Sequence, residues 1–247
     1  LKMYSIVEVG SFSYPKPTKE VNEDFLLLPT YDLESNIIFA IADGVGSSSS
    51  ANKASECAIN AISRTLRTKK FSVESALNDA KTAIDELTSL DEKYSDSATT
   101  LTIVQIQEKN VVIGHIGDCR AYVKKQNKLL QLTKDHTRYQ ELLDEGELSV
   151  RKLHQHRERL SSILTKALTK SYKLDFDIVN IPIENLIEDG VLAMSLMSDG
   201  AYNHWQKRAK FSATTMNSPS AFINSLRKRI EKEPTDDFTC LSVKIIK

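Results

Sequence analysis

Apolar runs that end in an acidic residue recur along this chain. Residues 37–42 are continuously apolar and lead into Asp43 and Gly44, and residues 191–197, apolar at all but one position, lead towards Asp199. Continuous apolar runs of this length, bounded by turn residues, are typical of buried strands. The pattern therefore predicts carboxylates at the ends of at least two buried strands.

The rest of the chain divides into groups of strands and helices. In residues 51–66 and 73–87, small and apolar side chains recur at steps of three and four, which predicts two consecutive helices. Short connections in the stretch that follows favour antiparallel pairing. Helices that follow one another, and strands that follow one another, predict an α+β protein. The further strands that we expect lie near residues 4–9, 25–28, 99–106, 111–117, 121–124, 129–132 and 238–246.

Composition narrows the class of protein. The 247 residues are 40% hydrophobic, enough for a large core, so we expect a single domain over 1–247. The formal net charge is zero, so we expect neither nucleic acid nor a membrane surface as a partner. No apolar run approaches the ~20 residues that span a bilayer, and without a basic-then-apolar stretch from residue 1 onwards we expect no signal segment. Cys57, Cys119 and Cys240 show no pairing pattern, so we expect reduced thiols and a cytoplasmic location.

The acidic residues at the ends of the runs are candidate metal ligands. Carboxylates that are brought together repel one another unless a cation lies among them. Oxygen ligands of this kind suit Mg²⁺ or Mn²⁺. Asp43 has two carboxylate oxygens and could bridge two ions about 4 Å apart, the spacing of hydrolytic two-metal sites. The candidate acids are Glu23, Asp24, Asp43, Asp118, Asp199 and Asp236.

The order and neighbours of these acids resemble those of the metal-dependent protein phosphatases, the 2C-type or PPM family. Eight short motifs occur in the order that the family shows, over most of the chain. A single one would mean little, but the ordered set is specific. The motifs are NED (22–24), DGVG (43–46), SATT (97–100), GDCR (117–120), LTKDH (132–136), LTKAL (164–168), SDG (198–200) and DDFT (236–239).

The resemblance implies a fold and an activity. The implied fold is two packed antiparallel β-sheets flanked by helices, a four-layer α-β-β-α sandwich, in one catalytic domain with a flap segment at about 137–175. The implied activity is hydrolysis of phosphoserine and phosphothreonine by attack of a water or hydroxide that bridges two Mn²⁺ or Mg²⁺ ions. The implied substrate is a phosphorylated protein. We also expect a monomer, with a cognate Ser/Thr kinase as a partner.

The resemblance also implies roles for individual residues. Asp43 and the backbone carbonyl of Gly44 would bind one ion, and Asp199 and Asp236 would complete the shell of the other. Glu23 and Asp24 would act mainly through water molecules on the ions, and Asp118 resembles the acid that binds a third ion in some family members. The catalytic set implied in this way is Asp43, Asp24, Glu23 and Lys19.

The chain departs from the family pattern at several positions. Lys19 occupies the position at which an Arg contacts the substrate phosphate, and it keeps the charge while losing the planar, two-pronged donor. Asp237 replaces the usual Asn, which adds negative potential beside Asp236. Thr169 replaces the usual Gly. The turn after Asp43 continues with serines at 47–50, which can cap the following helix.

Alternative interpretations stay open at this stage. The fold could persist in a pseudophosphatase or weakly active docking module, although the retained acids favour an enzyme, and the substrate could be a small phosphoester. Asp118 could simply cap a turn. His136 could act as a general acid or be structural, while His115 is expected to be a core or sheet-face histidine. The charged run at 151–159 could bind phosphopeptides or be a solvated helix face.

Overall fold

The apolar run at 37–42 forms the centre of a sheet that is covered on both faces. In the computed structural model, which describes residues 4–46, 48–68 and 70–247, the run lies in a strand at Ile37–Val45 and is fully buried. Alternate residues pack against different layers. Ile37, Phe39 and Ile41 contact the opposite sheet, and Ile38, Ala40 and Ala42 contact helices. Burial on both faces explains why the strand lacks polar alternation.

The described residues form twelve strands, eight α-helices and two 3₁₀-helices at Glu92–Tyr94 and Ile183–Asn185. The strands are β1 (Ser5–Tyr14), β2 (Asp24–Tyr31), β3 (Ile37–Val45), β4 (Ala98–Thr99), β5 (Leu101–Ile106), β6 (Asn110–Ile116), β7 (Arg120–Lys125), β8 (Lys128–Gln131), β9 (Leu168–Thr169), β10 (Asp177–Pro182), β11 (Val191–Met197) and β12 (Phe238–Ile246). The helices are α1 (Ser48–Thr68), α2 (Val73–Leu90), α3 (Arg138–Glu145), α4 (Val150–Gln155), α5 (Arg157–Ser161), α6 (Asp199–Lys207), α7 (Ala213–Met216) and α8 (Pro219–Ile230).

The strands form two antiparallel sheets. One sheet has the order β1-β12-β11-β7-β8. The other runs β10-β6-β5-β3, where β3 also pairs with β2 and its end pairs with the short strands β4 and β9. Every recorded pairing is antiparallel, which confirms the expectation drawn from the short connections.

Three apolar layers separate the sheets and helices. One lies between α1, α2 and the β3 sheet, a second lies between the two sheets, and a third lies between the β12 sheet and helices α6, α7 and α8. Helix, sheet, sheet and helix therefore stack in four layers. The predicted α-β-β-α architecture is confirmed.

Several elements begin or end differently from the prediction. The first two strands extend further than expected, and the strand predicted at 99–106 is interrupted at Thr100, so it forms β4 and β5. Helix α1 begins at Ser48, and Ser47, part of the predicted cap, lies outside the described residues. No helix in the described ranges combines the length and apolar character needed to cross a membrane. All three thiols are free.

The segment expected to form a flap contains three short helices. Helices α3, α4 and α5 lie between Thr137 and Leu164, which form an isolated antiparallel bridge. The base of the segment is also joined by a hydrogen bond from the Thr165 amide to the His136 carbonyl at 2.9 Å. This base leads directly into the turn that holds Asp118, because the His136 amide donates to the Gly117 carbonyl at 2.8 Å.

Candidate metal centre

Asp24 and Asp43 lie opposite each other on β2 and β3. Residues paired in this way on antiparallel strands direct their side chains to the same face of the sheet. The backbone of Asp43 is fixed by two threonines: its amide donates to Thr100 Oγ1 at 2.9 Å, and its carbonyl accepts from Thr99 Oγ1 at 3.0 Å. The threonine hydroxyls therefore act structurally, by fixing the backbone on both sides of the Asp43 side chain.

Asp24 is a buried carboxylate with one satisfied oxygen. Its Oδ2 accepts a hydrogen bond from Ser198 Oγ at 2.8 Å, and its Oδ1 is buried without a partner. Burial, followed by the nearby charges of Asp199 and Asp237, raises the pKa of Asp24 to about 7. A buried oxygen without a partner is unfavourable, and a bound cation would satisfy it.

Three further carboxyls have raised pKa values for the same reasons. In each case, burial of the carboxyl makes the largest contribution to the raised pKa. Burial and then Asp24 raise the pKa of Asp43 well above its usual range, and burial and then Asp199 raise the pKa of Asp118 to about 8. Burial and then Asp236 raise the pKa of Asp199 to about 6. These acids repel one another when ionised, which a divalent cation among them would relieve.

Close backbone packing brings Asp199 to this group. Asp199 is the first residue of α6, one residue after the end of β11, and Gly200 follows it. A Cβ on Gly200 would lie 2.0 Å from the carbonyl oxygen of Asp237, so glycine alone lets the start of α6 approach the entrance of β12. The side chain of Asp236, at this entrance, is 48% exposed.

Gly44 provides a second close approach. A Cβ at this position would lie 2.1 Å from the carbonyl oxygen of Ala51, because α1 packs directly on the end of β3. The Gly44 amide donates to the Glu23 carbonyl at 2.9 Å, and Ser55 Oγ of α1 donates to the same carbonyl at 2.6 Å. Helix α1 thereby holds both Gly44 and the chain before Asp24.

The ammonium of Lys19 lies against three carboxylates. Its Nζ is 2.8 Å from Glu23 Oε2, 3.2 Å from Asp236 Oδ1 and 3.4 Å from Asp237 Oδ2. Burial would lower the pKa of Lys19, but the hydrogen bond to Glu23 and the charges of Asp236 and Asp237 raise it above its ordinary value. The structure therefore brings Lys19 to the edge of the acidic group.

The predicted acids are gathered at one end of the sandwich. As they stand, no three His, Cys, Asp or Glu side chains in the described part of the chain are arranged to hold a metal ion. The unpartnered oxygen of Asp24 and the repulsion among the carboxyls nevertheless fit a divalent cation with oxygen ligands.

His136 has both ring nitrogens engaged within the protein. Its Nδ1 accepts from the Gly117 amide at 3.0 Å, so the proton lies on Nε2, which donates to Asp177 Oδ2 at 2.9 Å. With its own amide bonded to the Gly117 carbonyl, His136 holds the turn before Asp118 from both sides. The structural interpretation of His136 therefore gains support over that of a general acid.

Two neighbours of His136 are also structural. His115 is fully buried between Thr102 Oγ1 and the Lys134 carbonyl, each at 2.9 Å, and burial, followed by the neighbouring His136, lowers its pKa to about 4. Asp135 accepts from Nε of Arg120 at 2.9 Å and also from its Nη2. His115 therefore lies in the core, one of the two positions expected for it.

Sequence reasoning did not assign a role to Ser198. Its Oγ donates to Asp24 and accepts from the Thr239 amide at 3.0 Å, so it joins β2 to the β11 and β12 strands. The SDG motif placed Ser198 next to Asp199, but its partner at position 24 is 174 positions away.

The basic run at 151–159 is exposed except for Leu153 and half-buried Arg157, so both interpretations of that run remain.

The family profile described as Protein phosphatase 2C matches residues 17–233. The match covers well over half of the chain, and the chain belongs to the protein phosphatase 2C family. The resemblance read from the eight motifs is therefore confirmed.

Bacterial phosphatases are among its relatives. The chain is 31% identical over 175 residues to the serine/threonine phosphatase stp of Listeria welshimeri, a match that covers 67% of each protein. It is 29% identical over 137 residues to the serine/threonine protein phosphatase PstP of Mycobacterium tuberculosis, over 53% of this chain and 26% of PstP. The latter match thus spans only about a quarter of the relative's length.

Solved structures support the same fold. The crystal structure of the M. tuberculosis phosphatase PstP/Ppp has a TM-score of 0.79 at 21% identity, over 98% of this chain and 100% of that chain. Stp1 from Staphylococcus aureus has a TM-score of 0.78 at 20% identity, over 97% and 95%. The catalytic domain of PstP in complex with two manganese ions has a TM-score of 0.75 at 20% identity, over 98% and 99%.

Proposed function

We propose that this protein hydrolyses phosphoserine and phosphothreonine in proteins with the help of Mn²⁺ or Mg²⁺. The observation that carries the proposal is the mutually repelling group of buried Asp24 and half-buried Asp43 and Asp199, in which one oxygen of Asp24 has no partner. The group lies on the fold of a family whose similar members are named serine/threonine phosphatases.

The proposed ligands follow from the placement of the acids. Asp43 and the carbonyl of Gly44 would hold one ion, and Asp199 and Asp236 would hold the other. Two divalent ions bound here would activate a water for in-line attack on phosphorus and would stabilise charge on the phosphoryl group. The acids with proposed supporting roles are Glu23 and Asp24, through water, and Asp118, for a third ion.

Other residues of the chain keep these acids in place. Thr99 and Thr100 hold the backbone of Asp43, and Ser198 orients Asp24 so that its second oxygen stays free for a ligand. Lys19 is the proposed contact for the substrate phosphate, since its charge lies at the edge of the acidic group. A lysine supplies attraction there as a point charge.

The pseudophosphatase alternative is not favoured. A decayed site usually loses at least one acid, whereas Asp24, Asp43, Asp199 and Asp236 are all present, and after burial the charges of the other three contribute to the raised pKa of Asp43. The proposal further includes a single catalytic domain with a flap at about 137–175, a monomeric cytoplasmic protein and a cognate Ser/Thr kinase that forms the phosphoprotein. Size-exclusion chromatography with light scattering tests the monomer.

Phosphate release from a phosphothreonine peptide tests the activity. We expect no release in excess EDTA, recovery with Mn²⁺, and release with Ca²⁺ at least ~10-fold slower, because Ca²⁺ binds at longer distances with looser geometry. A single-turnover comparison with para-nitrophenyl phosphate shows whether a small phosphoester is preferred. Undiminished release in EDTA contradicts the proposal.

A further inference from the structure

Asp237 is a buried carboxylate whose three donors come from one distant loop. The residue is 3% exposed. Its Oδ1 accepts from the Lys16 amide at 2.8 Å, and its Oδ2 accepts from the Glu23 amide at 2.8 Å and from Lys19 Nζ at 3.4 Å. The loop at 16–23 and the entrance of β12 are separated by more than 200 positions, so these bonds join two ends of the chain.

The geometry requires a carboxylate rather than an amide. Each oxygen of Asp237 accepts from a different backbone amide, whereas an Asn has only one acceptor oxygen and would turn its NH₂ group towards an N–H. One of the two amides, of Lys16 or of Glu23, would then lose its partner. The buried charge of the carboxylate is offset by the ammonium of Lys19.

The loop itself has little freedom once these bonds form. Lys16 lies between Pro15 and Pro17, and proline restricts both its own backbone and that of the residue before it. The Lys19 amide donates to the Lys16 carbonyl at 2.8 Å, which closes a turn. Fixing the Lys16 amide therefore fixes where the side chain of Lys19 begins.

We propose that Asp237 is a positioning residue that holds the loop at 16–23 and thereby places Lys19 for contact with the substrate phosphate. The inference deepens the proposed function and rests on it, because the phosphate contact of Lys19 is part of that function. Asp237 and Lys19, both departures from the family pattern, act as one pair. Asp237 holds the backbone and Lys19 supplies the charge beside Asp236, at 3.2 Å.

Asp32 offers a matched control. It is 8% exposed, and its Oδ1 accepts from the amides of Glu34 and Asn36, each at 2.9 Å, in the turn between β2 and β3. This turn lies at the opposite end of β3 from Asp43, about 20 Å away at ~3.3 Å per residue. Asp32→Asn therefore makes the same chemical change far from the acidic group.

Amide hydrogen exchange of the metal-free protein tests the anchoring. In the wild type we expect protected amides at Lys16 and Glu23, and in Asp237→Asn we expect exchange at one or both to accelerate at least ~10-fold. Asp32→Asn should leave these two amides unchanged. If these two amides exchange freely in the wild type, the proposal is overturned. This result does not depend on whether any variant folds.

Steady-state kinetics at saturating Mn²⁺ tests the positioning. We expect Asp237→Asn to raise KM for a phosphothreonine peptide ~3- to 10-fold while kcat stays within about threefold. In a Lys19→Ala background, the same substitution should change KM less than about twofold, because the pair acts as a unit. Asp32→Asn should leave KM unchanged.

Two results would overturn the positioning role. One is an equal rise in KM in the Lys19→Ala background, and the other is the same rise from Asp32→Asn. If the wild-type protein shows no Mn²⁺-dependent phosphate release, the proposed function is overturned. The part of this inference that places Lys19 against the substrate phosphate is then overturned with it. The exchange measurement would still decide whether Asp237 anchors the loop.

Discussion

Asp24 and Asp43 face each other across β2 and β3, and Oδ1 of Asp24 is buried with no hydrogen-bond partner. Two acids from adjacent strands thus direct their side chains to one face of the sheet. Their pKa values are raised by burial and by their neighbours, so the folded protein would gain from a ligand that neutralises them.

Removal of Asp43 should separate catalysis from folding. We expect Asp43→Ala to lower kcat at least ~10²-fold, a barrier increase of about 2.7 kcal/mol. The Tm of the metal-free protein should hold or rise, because the substitution also removes a source of repulsion. Peptide kinetics and calorimetric melting measure the two effects. Near wild-type turnover at saturating Mn²⁺ would refute the role of Asp43.

Stability of the metal-free protein should fall as pH rises. The folded-state pKa values of Asp24, Asp118 and Asp199 are about 7, about 8 and about 6. All lie above the value of an unfolded Asp, about 3.9. The folded state therefore binds more protons between these values, and its stability is lost as pH rises through about 6 to about 8.

Melting curves from about pH 5 to about pH 8 measure this effect, and each kcal/mol lost should lower Tm by about 2–4 °C for a chain of this size. Saturating Mn²⁺ should remove most of the slope, because the ions compensate the ionised carboxylates. A metal-free Tm that rises over the same range would contradict the assignment of these acids to one cluster.

Lys19 should matter for substrate affinity. We expect Lys19→Ala to raise KM for a phosphothreonine peptide ~3- to 10-fold at low salt, where the attraction of the ammonium for phosphate is least screened. Lys16→Ala is the matched control, because Lys16 contacts Asp237 through its backbone amide. If Lys16→Ala raises KM and Lys19→Ala leaves it unchanged, Lys16 rather than Lys19 contacts the substrate phosphate.

His136 should prove structural. His136→Asn keeps an acceptor for the Gly117 amide but loses the bond to Asp177, so we expect kcat within about threefold of the wild type. His136→Ala removes both bonds and should destabilise the protein by about 1–3 kcal/mol, measured by denaturant unfolding. An equal collapse of kcat in both variants, with folding intact, would instead identify a general acid.

The sequence was sufficient to predict the strands that matter most for the site. The apolar run at 37–42 and the acid that follows it are local features, and the antiparallel pairing of β2 with β3 then places Asp24 opposite Asp43. Helix α8 was missed although Ser218, Pro219 and the apolar spacing of Phe222 and Leu226 indicate a capped helix. Strand β10 was missed because Asp177, Asn180 and Pro182 interrupt its apolar residues and none of its six residues is fully buried.

Other parts of the site could not be predicted from one sequence. The bond from Ser198 to Asp24 and the bonds from residues 16–23 to Asp237 join positions 174 to 221 residues apart. They depend on loop conformation and on close packing at Gly200, neither of which has a periodic pattern in the sequence. The motif DDFT located Asp237, but only the structure shows that both of its oxygens accept backbone amides.

Calorimetric titration of Mn²⁺ into the metal-free protein is the most direct measurement of the central claim, that the carboxylates around Asp43 form a divalent metal centre. We predict two bound ions in the wild type. In Asp43→Asn, the affinity of at least one ion should fall ~10-fold or more, because a proposed carboxylate ligand is replaced by a neutral amide. Asp32→Asn should match the wild type. Identical isotherms for the wild type and Asp43→Asn would contradict the account.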